Sequence, residues 1–145
     1  MAFKFVKGPT RIEWYKKAAS TDFTKDSLVA FDGSENVTPA TSSTDAHVGC
    51  ILKAIASTDS DYASETLVPI EVPDGPNAVL LATSVDGTAV AADVGTYIDL
   101  TDASNANRAA STNDALLVVG FISSTELLVK LNSNAAWKPP VGGAT

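Results

Sequence analysis

Leu28-Val29-Ala30-Phe31-Asp32-Gly33-Ser34-Glu35-Asn36-Val37 opens a pattern that the chain states twice. A Ser/Thr stretch ending Ser43-Thr44-Asp45 follows it, and then Val48-Gly49-Cys50-Ile51. The second statement runs Tyr97-Ile98-Asp99-Leu100-Thr101-Asp102-Ala103-Ser104-Asn105-Ala106, then Ser111-Thr112-Asn113-Asp114, then Val119-Gly120-Phe121-Ile122. Each is an apolar strand, a turn, a polar loop and a strand with a glycine inside it. Two readings stay open, an internal duplication (25–72 and 94–131) or two similar hairpins. Either way, a repeated β unit without reactive side chains points to a scaffold rather than a catalyst.

Outward from that pattern, short apolar runs alternate with turn residues. The runs are Leu28–Phe31, Val48–Ala56, Leu67–Val72, Val79–Ala82, Tyr97–Leu100, Leu116–Ile122 and Leu127–Leu131. They are rich in Val, Ile and Leu, and Asp-Gly pairs at 32–33, 74–75 and 86–87 punctuate them. Asp-Gly accepts the positive φ of tight turns, so the sequence around Asp86-Gly87 reads as a hairpin. Pro69 lacks an N–H and should confine its strand to an edge or a bulge. Gly49 and Gly120 should mark bulges or close backbone approach. Single helical turns fit Ser60–Ser64 and 106–116. Many short strands between turns specify an all-β fold, a small β-barrel or sandwich.

Residues 1–24 read as an extended N-terminal arm. Phe3 and Phe5 flank Lys4, Ile12 and Trp14 flank Glu13, and Gly8-Pro9 separates the two runs. Alternation of this kind is the period of a half-buried strand. The β domain then spans 25–137, and Lys138-Pro139-Pro140-Val141-Gly142-Gly143-Ala144-Thr145 reads as a flexible or polyproline tail, with Trp137 placed to pin it.

The length, 145 residues, is that of one domain, and the net charge is −7. The charge is unevenly spread. Through Lys25 there are six bases (Lys4, Lys7, Arg11, Lys16, Lys17, Lys25) and two acids (Glu13, Asp22), a net +4; the rest sums to −11. A basic arm suits an acidic partner surface, and an acidic body disfavours direct nucleic-acid contact. No run approaches the ~20 apolar residues of a membrane span, and the N-terminus lacks the apolar core of a secretion signal. The lone Cys50 can form no internal disulfide and suits a reducing compartment.

Reactive chemistry is sparse. His47 and Cys50 are three residues apart, which on a strand places them on opposite faces and argues against a dyad. Asp59-Ser60-Asp61 and Asp32-Gly33-Ser34-Glu35-Asn36 hold oxygen ligands without calcium-loop spacing, and read as turns that satisfy their own backbone. No glycine-rich phosphate cradle is present. The expectation is no catalytic residue, no metal and no cofactor.

Lys25-Asp26-Ser27-Leu28-Val29-Ala30-Phe31-Asp32-Gly33, with His47-Val48-Gly49-Cys50-Ile51-Leu52 after a Ser/Thr loop, resembles the lambda-like head decoration proteins of tailed phages. Leu67–Val72 and Val94–Leu100 share the style of phage capsid-stabilising proteins. The resemblance implies a non-enzymatic, mainly β protein with a β-clip-like body, a homotrimer seated on the outside of the expanded head. It implies contact with the major capsid protein and reinforcement of the shell, with the virion as its location. It also implies an N-terminal arm that orders on docking. Under that reading Phe3, Lys4, Phe5, Lys7, Arg11, Trp14, Tyr15, Lys16 and Lys17 are the candidate capsid-binding residues. A head-fibre base, a tail tube component, a glycan-binding β module and a nucleotide hydrolase on a similar scaffold are the alternatives.

Overall fold

The computed structural model describes residues 2–44, 48–60, 62–64 and 66–131. His47, Asp61, Trp137 and the expected tail 138–145 lie outside the described residues. The protein is mainly β, as expected. Twelve strands are present among the described residues: β1 (Phe3–Lys7), β2 (Thr10–Lys17), β3 (Leu28–Phe31), β4 (Asn36–Pro39), β5 (Gly49–Ile51), β6 (Leu67–Pro73), β7 (Val79–Ala82), β8 (Val85–Asp86), β9 (Tyr97–Asp102), β10 (Asn105–Asn107), β11 (Leu116–Ser123) and β12 (Glu126–Leu131). Among the described residues, helical structure is limited to 3-10 turns at Tyr62–Ser64 and Ala91–Asp93. The first falls in the expected Ser60–Ser64 window. The helical turn expected over 106–116 is absent, and β10 and a loop occupy that stretch.

Strands β2-β4-β3-β5-β6 close into a five-stranded barrel. The remaining strands form a sheet in the order β1-β7-β12-β11-β9-β10-β8. Only Thr83 and Ser84 separate β7 from β8, yet the two lie near opposite ends of that order. The sheet therefore curls until one continuous segment, 79–86, sits at both ends. The first barrel is wired the same way. The single strand β2 runs antiparallel to β6 and, through Lys16 and Lys17, parallel to β4. Segment 79–86 runs antiparallel to β12 through β7 and parallel to β10 through β8. In each half the next strand (β3 or β9) turns back into a hairpin (β4 or β10), and the following strand (β5 or β11) crosses to its other side.

The chain thus contains one five-strand topology twice, over 10–73 and 79–131. Val29, Phe31 and Val37 of the first correspond to Ile98, Leu100 and Ala106 of the second, matching Phe31↔Val37 with Leu100↔Ala106. The glycines do not correspond. Gly49 faces Val29, whereas the residue facing Ile98 is Leu116. Gly120 lies further on, at a bulge opposite Leu128. Gly49 instead marks close approach, since a Cβ there would sit 2.1 Å from the Glu71 carbonyl oxygen.

Three expectations need correction. Residues 1–24 are not an independent arm, because β1 pairs with β7 and β2 is a wall of the first barrel. Asp86-Gly87 does not join a hairpin, because β8 finds its partner in β10, in parallel. Pro69 is not at a sheet edge, since β6 lies between β2 and β5. It is accommodated because Lys17 N–H bonds the Thr66 carbonyl (2.9 Å), and by strand alternation the odd residues of β2 face β6. Trp14↔Pro69 and Thr10↔Pro73 are then non-hydrogen-bonded pairs, so neither proline owes β2 an N–H.

Phe23, Val29, Val37, Val48, Ile51, Ile55, Val68, Ile70 and Val72 fill the first barrel. Phe3, Leu80, Ile98, Leu100, Leu116, Val118, Leu127 and Val129 belong to a larger core in the second half. Leu28, Ala40 and Cys50 of the first half join that second core. Adjacent residues Leu28 and Val29 thus point into different cores. A strand covered on both faces has no polar side to show, which is why 28–30 reads as an unbroken apolar run. Leu28 N–H also donates to the Ala103 carbonyl (2.8 Å), binding the halves through backbone.

Candidate interaction surface

The most exposed large apolar side chains of the first barrel lie on β2 and β6. Residues 10, 12, 14 and 16 share the outer face of β2, and Leu67, Pro69 and Glu71 share that of β6. Trp14 stands opposite Pro69, Lys16 opposite Leu67 and Ile12 opposite Glu71. Trp14 is 61% exposed, Ile12 57% and Leu67 49%. An aromatic ring flanked by two aliphatics on a rigid barrel wall is the kind of anchor that dominates protein contacts. Lys16, also exposed, adds a cation beside it. Thr10 Oγ1 donates to Glu71 Oε2 (2.7 Å) and orders the other end of the strip.

The other expected docking residues are distributed differently. Phe3 is 1% exposed and Phe5 packs on the same core, so both serve the interior of the second half rather than a partner. Tyr15 packs against the first core and meets Phe31 edge-to-face, with centroids 5.3 Å apart. Its phenol pKa is raised by burial, with the charge of Glu13 adding to the shift. Lys17 lies over the Tyr62 ring, 3.7 Å from its centroid, and the Tyr62 hydroxyl donates to Thr21 O (2.9 Å). Arg11 bonds Glu13 (2.9 Å) and Asp74 (3.2 Å). Lys4 and Lys7 are exposed on β1, which belongs to the other sheet. Of the nine, the structure brings Trp14 and Lys16 together on it, joined by Ile12, Leu67 and Pro69. The alternation at 12–14 announces a strand, but nothing local says that its apolar face is the outer one. The opposite side of β2 carries Arg11 and Glu13, which are part-exposed and paired with each other, and Tyr15, which packs on the first core.

A second exposed apolar set, Val90, Val94, Phe121 and Ile122, borders the Ala91–Asp93 turn and the far half of β11. Beside it, Arg108 grips Asp93 with two bonds, Nη2 to Oδ1 (2.7 Å) and Nε to Oδ2 (3.1 Å). The Arg108 bond is the main cause that holds the Asp93 carboxyl below its usual range, and the Val90 N–H bond adds to it.

Several aspartates, buried Asp99 and exposed Asp32, Asp102 and Asp59, are used internally. Asp99 accepts N–H bonds from Thr112 (3.0 Å), Asn113 (2.9 Å) and Asp114 (2.8 Å), and so fixes the loop before β11. Asp32 Oδ1 accepts from Ser34 N–H (2.7 Å), and Asp102 Oδ1 accepts from Ser104 N–H (2.8 Å). Both are aspartate-capped turns, but the two aspartates stand one residue apart in the matched halves. Asp59 accepts from Ala56 N–H (3.0 Å). Cys50 is buried, and burial pushes its thiol pKa well up. Among the described residues, no group of three or more His, Cys, Asp or Glu is placed to share a metal ion. No protein-family model matches the chain, and no curated protein matches it either.

Proposed function

We propose that this chain is a non-enzymatic decoration protein of a phage head, which docks on the shell through the outer face of β2 and β6. The observation that carries the reading is the exposed strip of Ile12, Trp14, Leu67 and Pro69 with Lys16 at its border. A rigid barrel wall presents these side chains without an ordering cost on binding, so their burial goes into affinity. The sequence resemblance supplies the partner, the major capsid protein, and the setting, a homotrimer on the exterior of the expanded head. Several copies acting together turn modest single contacts into tight attachment. The experiment is co-sedimentation of purified protein with undecorated heads, before and after expansion. Trp14→Ala should weaken binding about 30-fold, the loss expected for a central aromatic anchor. Unchanged co-sedimentation of the folded variant would remove the strip from the interface. Hundreds of copies per particle support decoration, whereas a few dozen or fewer favour a head-fibre base or tail component.

A further inference from the structure

Asp32-Gly33, Asp74-Gly75 and Asp86-Gly87 share a latent chemistry. Glycine has no Cβ to shield its amide nitrogen, so that nitrogen can close a five-membered ring on the aspartate before it. The ring closes on a protonated carboxyl, because a carboxylate is a poor electrophile. Whatever holds the side chain ionised or aimed elsewhere therefore protects the pair.

The fold treats the three pairs differently. Asp32 Oδ1 accepts N–H bonds from Ser34 (2.7 Å) and Asn36 (3.3 Å), and these bonds, the Ser34 one above all, hold its carboxyl below the usual range. Asp74 Oδ1 is paired with Arg11 Nη1 (3.2 Å), and Asp74 N–H bonds the Pro9 carbonyl (2.9 Å). Asp86 is exposed, and its carboxyl has no hydrogen-bond or ion-pair partner among the described residues. Its side chain is free to turn toward the Gly87 nitrogen, which donates to no acceptor among them. Asp86 also stands at a short seam. β8 is two residues long and holds β10 through Val85↔Ala106 and Asp86↔Asn107. Arg108 N–H bonds the Asp86 carbonyl at 3.4 Å, a long and weak contact. The Arg108 side chain lies close against Gly87, where an added Cβ would meet its Cδ at 3.1 Å, and its guanidinium grips Asp93.

We propose that Asp86-Gly87 is a self-modification site, at which Asp86 isomerises to isoaspartate, and that the change loosens the β8–β10 seam. The Gly87 nitrogen bonds to Asp86 Cγ, the Cγ–OH bond breaks, and the amide proton and hydroxyl leave as one water. Water then adds back to the resulting succinimide. Opening at Cγ restores aspartate. Opening at the main-chain carbonyl frees the α-carboxylate and leaves the chain running through Cβ and Cγ, one methylene longer. Water is the only co-reactant, and nothing is oxidised or reduced. The carbonyl that accepts from Arg108 is then off the main chain, and Gly87 is displaced from the Arg108 side chain. This chemistry is independent of shell docking.

The folded wild-type chain is held in warm, mildly acidic buffer, digested, and mapped for isoaspartyl peptides by enzymatic methyl-ester labelling. A parallel sample is held in urea. In urea the three pairs should convert at similar rates, whereas in the folded chain Asp86 should outpace Asp32 and Asp74 several-fold. Arg11→Ala should raise conversion at Asp74 and leave Asp86 unchanged. Asp86→Glu should abolish the site, because the larger ring closes slowly. The converted fraction of the wild type should melt lower than fresh protein and exchange its Ala106 and Arg108 amides faster. Conversion at Asp32 or Asp74 as fast as at Asp86 in the folded chain overturns the assignment. So does a folded chain that forms no isoaspartate while the urea sample does. Equal melting and exchange before and after conversion overturn the loosening of the seam. Should Asp86→Glu fail to fold, the wild-type peptide map decides alone.

Discussion

Gly49→Ala tests the closure of the first barrel. Gly49 lies on the three-residue strand β5, between β3 and β6. An added Cβ would lie 2.1 Å from the Glu71 carbonyl oxygen and 3.2 Å from Ile70 Cγ2. An ordinary contact needs more than 3 Å, so β5 and β6 must part by about an ångström. Backbone on the receiving side cannot rotate away, and β5 is too short to bend around it. The cost is at the upper end of overpacking, about 3 kcal/mol. For a chain of this length that is a loss of roughly 10 °C in Tm. Gly120→Ala is the control. Its added Cβ meets Leu128 Cδ1 at 2.8 Å, the far end of a side chain that can change rotamer, and Leu128 Cβ at 3.1 Å, a contact that a shift of a few tenths of an ångström relieves. It should cost less than about 1 kcal/mol. Calorimetric melting of both variants checks the pair. Equal Tm losses, or a Gly49→Ala variant within about 3 °C of the wild type, would refute the steric argument.

Asp99→Ala leaves three amides of the 112–114 loop without their acceptor. Because this loop is partly open to water, we expect a loss of about 2 kcal/mol, read by denaturant melts. Asp93→Asn tests pH linkage. The Asp93 carboxyl is depressed chiefly by Arg108, so its stabilisation is present above the ordinary carboxylate pKa of about 4. It disappears as pH falls through the lower, folded-state value. The variant should be about 1 kcal/mol less stable than wild type at neutral pH, and the gap should close in acid, as followed by urea unfolding across pH.

The all-β class, many of the strands and the Asx turns were legible because they rest on local chemistry. Asp32 bonds the amide two residues on and Asp59 bonds the amide of Ala56, as turn aspartates do. The repeat was legible at β3 and β9, where Val29 and Ile98 play one role. It went wrong at Gly49 and Gly120, where a shared dipeptide hides two different registers. The outer strip was half legible. Trp14 and Lys16 stand out in the sequence, but which face of β2 is outside depends on β6, more than fifty residues away. Phe3 and Trp14 look alike as alternating aromatics. Only the pairing of β1 with β7 sends Phe3 into a core.

The hand-over at Leu28 and Val29 has a further consequence. Two halves that share one wiring plan are not interchangeable modules, because the first lends Leu28, Ala40 and Cys50 to the interior of the second. Cutting the chain between β6 and β7 would expose those side chains on one fragment and open a matching hole in the other. The repeats therefore stand or fall as one cooperative body, and a force applied at the β2–β6 wall is carried across the junction into both.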